Sequence, residues 1–131
     1  MFAPLIALAF PFLLWPIEVL LPFPFFVEEV AKAVLVVYII NIEHKFTTAL
    51  KLTIATAVSF SVSETIFYFF NIYIVGEVST IFKRLALTGL MHTVTFLIIF
   101  AFTYKSKKLI PLGLFIAGVI HFLYNTAVPL K

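Results

Sequence analysis

Glu28, Glu29, Glu64, His92, His121 and Asn125 interrupt stretches of this sequence that are otherwise apolar. Carboxylates and imidazoles move protons and hold water or cations, and carboxamides donate hydrogen bonds to developing charge. Such groups are expensive in a lipid setting: a charge at the bilayer centre costs roughly 2.5–3.5 kcal/mol on insertion scales. Several of them in one short chain imply that they partner one another and that function tolerates the cost. Their spacing agrees. His121 and Asn125 are i,i+4, as are Glu64 and Tyr68, and each pair shares a helix face. Glu28 and Lys32 are also i,i+4, and Glu29 reaches the same lysine at i,i+3. Two histidines with a carboxylate (Glu64, His92 and His121) suit a catalytic zinc with an open position, so zinc is the one cofactor the donor set suggests. The same side chains can hold a water without a metal, and the sequence has no HExxH, the helix motif of many zinc proteases.

Helices that cross a membrane must position these residues. Of 131 residues 63% are hydrophobic and only 11% charged, and 17 are Phe. A soluble domain carries about 25% charged residues, so this chain lacks the polar surface to face water. It has no Cys, which excludes disulfides and thiolate metal sites, and no Asp. Its net charge of +3 is small and lies mostly in short connections, as expected for membrane orientation and not for nucleic-acid binding. Met1-Phe2-Ala3-Pro4 lacks the basic start of a signal peptide, so residues 1–131 read as one transmembrane domain.

A span needs about 20 apolar residues. Five segments approach that length, at about 2–21, 25–42, 52–73, 80–104 and 109–130. The first carries Pro4, Pro11 and Pro16, which predict kinks or a re-entrant path, and Pro22-Phe23-Pro24 ends it. Glu43-His44-Lys45 and Lys105-Ser106-Lys107-Lys108 form polar turns, Gly76-Glu77 closes the third segment, and Ser79 is placed to cap the fourth. Lys45, Lys51, Lys105, Lys107 and Lys108 fall on one side, Lys83, Arg84 and Lys131 on the other, which predicts the first side as cytoplasmic. At 1.5 Å per residue, Glu64 lies ~14 Å from Tyr73, His92 ~16 Å from Ile81 and His121 ~14 Å from Leu130. Those ends share one face when helices alternate in direction, so the three residues fall at one level. Glu28 and Glu29 enter from that same, extracytoplasmic face, ~7 Å below Pro24.

Each residue taken alone also has a simpler role. Glu28 and Glu29 suit a helix N-terminus. His121 with Asn125 can join helices, Lys32 can be a counter-ion, and Arg84 can anchor at the interface. These separate roles do not predict a common depth. Intramembrane Glu and His also mark proton relays, so a small ion-coupled transporter is a second class. A catalytically silent assembly subunit is a third, and oligomers are compatible with all three.

The motifs support one resemblance. Glu28-Glu29-Val-Ala-Lys32 resembles the EExxK motif of PrsW-type membrane proteases. Phe60-Ser-Val-Ser-Glu64-Thr-Ile-Phe-Tyr68 resembles their second motif, Arg84 with His92 the third, and His121-Phe-Leu-Tyr-Asn125 the fourth. The wider group includes CAAX prenyl endopeptidases and bacteriocin-processing relatives. Thr65 departs from the pattern, standing where these proteins usually have Asn, and the chain is shorter than typical members. The resemblance implies an all-α polytopic bundle, with a four-helix catalytic core over about 25–127 and one proline-kinked N-terminal helix. It implies an intramembrane endopeptidase in the cell membrane, whose substrate is a membrane-anchored polypeptide. Peptide hydrolysis needs an activated water, an oxyanion stabiliser and a proton donor for the leaving amine. The resemblance gives the base to the Glu28–Glu29 pair, with Glu28 preferred. Glu64, His92 and His121 then position the water, with the metal-free form preferred over zinc, Asn125 donates to the oxyanion, and Lys32 and Tyr68 give support.

Overall fold

The computed structural model describes residues 2–72 and 78–128. These form α1 (Ala3–Glu18), α2 (Pro24–Ile42), α3 (Phe46–Ile72), α4 (Val78–Lys105), a 3-10 turn (Lys107–Leu109) and α5 (Ile110–Ala127), with no strand among them. The Gly76-Glu77 turn and the segment ends Tyr73, Leu130 and Lys131 lie outside the described residues.

Local chemistry explains most boundaries. Pro24 and Pro111 sit in the first turns of α2 and α5, where a missing N–H costs nothing. Ser106 caps the 3-10 turn by accepting from the Lys108 backbone N–H at 3.3 Å. α3 begins six residues before the apolar pattern predicts, at Phe46 instead of about 52. Its first turn is polar, but Phe46 packs on Phe100 and Tyr104 with centroids 5.7 and 5.1 Å away, so tertiary packing carries the helix past its apolar stretch. α4 begins at Val78, which places Ser79 inside the first turn and not at the cap.

The fold is an all-α membrane bundle. Among the described residues, three stretches are long and apolar enough to cross a bilayer: Phe46–Phe69, Leu85–Lys105 and Lys107–Ala127. α2, with 19 residues, is interrupted by Glu28, Glu29 and Lys32. α1, with 16 residues, is roughly 24 Å long against a hydrocarbon core of about 30 Å. It is nonetheless integral to the packing. Its most extensive contact is with α3 and its next with α2. Ala3, Ala7 and Pro11 are buried there, and the Ser63 hydroxyl donates to the Leu8 carbonyl across the contact.

The apolar core joins Leu35, Val36 and Ile39 of α2 to Ala49 and Ala57 of α3 and Phe96 and Ile99 of α4. Large apolar side chains such as Leu13, Phe82, Leu90 and Phe115 face outward, as a lipid-facing surface requires. Buried hydroxyls must find partners without water. Thr53, Ser61, Thr65 and Thr93 each donate to the carbonyl four residues back, at 2.8–2.9 Å. The two lysine-bearing connections meet on one face. There Lys107 Nζ donates to Asn41 Oδ1 at 2.6 Å and the Tyr104 hydroxyl to the His44 carbonyl at 3.2 Å.

Candidate active site

All five α-helices send ionisable side chains toward one place. α2 starts at Pro24, which puts Glu28 and Glu29 on its second turn and Lys32 one turn further. Adjacent residues on a helix diverge by about 100°, so the two glutamates face different neighbours. Glu29 and Lys32 are fully buried. Of the two spacings the sequence offers, Lys32 takes i,i+3, and its Nζ lies 2.5 Å from Glu29 Oε1. The same oxygen accepts from His121 Nδ1 of α5 at 2.7 Å. An ionised carboxylate only accepts, so this bond fixes the imidazole proton on Nδ1 and leaves the Nε2 lone pair available.

Glu28 turns toward that nitrogen. Its Oε2 lies 4.0 Å from His121 Nε2 and 3.9 Å from His92 Nε2 of α4. The two imidazoles stand almost perpendicular, with centroids 5.6 Å apart. Phe60 packs edge-on against His92 at 5.1 Å, and Phe25 flanks His121 at 6.0 Å. From α3, Glu64 hydrogen-bonds His92 Nε2. Tyr68, one turn on, lines with Glu64 a cavity that also involves Pro11, Glu18, Glu28, Phe60 and Phe67. The cavity is small, of the size of a single water.

Of the residues singled out in the sequence, Glu28, Glu29, Glu64, His92 and His121 therefore come together, with Lys32 and Tyr68 beside them. Asn125 does not join them: its side chain is exposed on the last turn of α5. The Arg84 side chain lies outside the described structure. Thr65 directs its hydroxyl to the Ser61 carbonyl at 2.8 Å. One residue was missed. Glu18 ends α1 and lines the cavity with Glu28 and Glu64. Its sole signal in the sequence is that it is the one carboxylate within the first apolar segment.

The donor set fits a small cation. Oxygen and nitrogen atoms of Glu28, His92 and His121 all lie within 4.8 Å of one another. Glu28 Oε2 is buried without a hydrogen-bond partner, as a ligand atom awaiting a cation would be. Three protein ligands with room for a water is the arrangement of catalytic zinc sites. The triad expected from the sequence held Glu64 in place of Glu28. Glu64 instead meets His92 from the α3 side, whereas Glu28 on α2 lies between the two imidazoles.

A helical membrane bundle that sets three carboxylates on a small cavity, with two imidazoles beside two of them, holds the groups that an intramembrane hydrolase needs. Residues 24–131 match the family described as PrsW family intramembrane metalloprotease, and the chain belongs to that family. It is thus an integral membrane protease acting on polypeptides in a lipid environment. The matched region starts at the first residue of α2, so Glu18 comes from outside it. Comparison with curated proteins finds no match, and comparison with solved structures finds none either.

Proposed function

We propose that this protease hydrolyses peptide bonds of membrane-anchored polypeptides with a glutamate-activated water, at a site in the extracytoplasmic half of the cell membrane. The observation that carries the reading is Glu28 Oε2, buried and unpartnered, 3.9 and 4.0 Å from the Nε2 atoms of two histidines on two other helices. Glu28, His92 and His121 would hold zinc, His92 by exchanging its Nε2 hydrogen bond to Glu64 for the ion. When bound, that ion polarises the scissile carbonyl and makes its water acidic enough to attack near neutral pH.

The protein's own groups do the rest. Glu29 keeps His121 in the tautomer whose Nε2 faces the reacting centre. Glu64, beside His92 and on the cavity wall, takes the proton of the attacking water and returns it to the leaving amine. The sequence motif favoured Glu28 for that step. Its place between the imidazoles suits a ligand better, and Glu64 borders the small cavity. Asn125, one turn past His121, is exposed, so its expected part as oxyanion donor would require a bound substrate to bring the carbonyl out to it. The orientation follows from Lys45, Lys105, Lys107 and Lys108 at the opposite end of the bundle, which the positive-inside rule assigns to the cytoplasm.

The test is a peptidase assay on membrane-tethered peptides in liposomes, comparing wild type with Glu28→Gln and His92→Ala. Cleavage by the wild type alone, abolished by a chelator and restored by zinc, is the expected result. Equal cleavage by all three proteins would remove the mechanism.

A further inference from the structure

We propose that Thr95, which lies outside all the sequence motifs, is a positioning residue that holds Lys32 where it can share Glu29 with His121. The inference rests on the reading of His121 as a site residue. Thr95 is fully buried on α4, one turn past His92. Its hydroxyl donates to the His92 carbonyl at 3.1 Å. With its single hydrogen committed there, the oxygen can only accept toward the ammonium, and Lys32 Nζ lies 3.0 Å away. Nζ also lies 2.5 Å from Glu29 Oε1 and 5.6 and 5.9 Å from the ring centroids of Phe60 and Phe96.

Glu29 makes this arrangement consequential. Its Oε1 serves both Lys32 and His121, while its Oε2 is buried without a hydrogen-bond partner. An ammonium beside a carboxylate gains by approaching both oxygens, and Glu29 Oε2 has no hydrogen bond that would compete with it. What opposes that swing is the second acceptor, the Thr95 hydroxyl on the facing helix. Without it Lys32 pivots onto Glu29, competes for the negative charge that His121 Nδ1–H requires, and frees the imidazole to change tautomer and turn. One hydroxyl thereby couples the α2 ion pair to both histidines: to His121 through Glu29, and to His92 through its backbone carbonyl.

The experiment uses the full chain with ¹⁵N-labelled histidine and compares Thr95→Val and Thr95→Ser with wild type. The chain has three histidines, so His44→Gln and His92→Gln assign the imidazole signals. Wild type and Thr95→Ser should both show His121 as the Nδ1–H tautomer. Thr95→Val should show a mixture of tautomers, with kcat on a tethered peptide reduced about 10–100-fold and KM little changed. Should Thr95→Val fail to fold, Thr95→Ala is read by the same spectra. An unaltered His121 tautomer in the folded Val or Ala variant overturns the proposal, as does an equal loss in Thr95→Ser, which keeps the hydroxyl. Failure of the underlying site reading looks different: His121→Gln would then cleave as fast as wild type.

Discussion

The two halves of α2 share one helix and one bundle, yet they are stabilised differently. From Glu28 to Lys32 the buried face is ionic, and Glu29 and Lys32 are fully enclosed. From Leu35 to Ile39 it is aliphatic, packed on Phe96 and Ile99. In the aliphatic half any well-shaped apolar side chain serves, because packing there rests on summed van der Waals contact. In the ionic half each group depends on a named partner on another helix: Thr95 and His121 for the Lys32–Glu29 pair, and two imidazoles for Glu28. A buried ion pair adds little net stability over apolar packing, but removing one partner leaves an uncompensated charge. The comparison teaches that the ionic half is retained for what it positions, while the aliphatic half maintains the assembly.

Substitutions can break or sharpen that contrast. The largest effect is expected at Glu28. Glu28→Gln should lower kcat on tethered peptides by roughly 10³-fold with the helical circular dichroism unchanged. Leu35→Ala, one step into the aliphatic half, should lower Tm while the folded fraction retains its activity. Comparable activity losses in the two variants would erase the distinction. Lys32→Met should destabilise by about 3–5 kcal/mol, because Glu29 is left charged and enclosed. A Tm equal to that of wild type would mean that Glu29 takes up a proton instead.

Glu18 extends the contrast to α1. Glu18→Gln should reduce kcat by about tenfold, the effect of a group that borders the site without bonding to its histidines. Activity identical to wild type would confine Glu18 to the wall. The smallest effect is expected at the opposite face, where Lys107→Ala loses an exposed bond to Asn41 worth under about 1 kcal/mol and leaves kcat unchanged. Chemical denaturation and the same peptidase assay read both outcomes.

Much of the bundle was legible because lipid makes strict demands. Backbone groups must bond within a segment, so long apolar stretches must be helices, and polar residues at matching depths on alternating helices must share a level. Glu64, His92 and His121 were readable on that ground. Direction around the axis was not. The pair Glu28–Glu29 could not be divided between the imidazole face and the lysine until α4 and α5 were set against α2. The spacing of His121 and Asn125 correctly puts both toward one face of α5. It cannot reveal that on the last turn Tyr124 takes the contact with α4, through the Thr88 hydroxyl, while Asn125 stays exposed. Glu18 went unrecognised because its segment reads as a proline-rich hydrophobic stretch, and only its packing on α3 turns the carboxylate into the cavity.

The sequence by itself determined a membrane bundle, the residues able to do chemistry and their approximate depth, since composition and helical rise follow from the order of residues alone. Tertiary structure decided which oxygen faces which nitrogen, that α1 completes the cavity wall, and that the Thr95 hydroxyl holds a buried ammonium. Those depend on how helices rotate and pack against one another, which no single helix encodes.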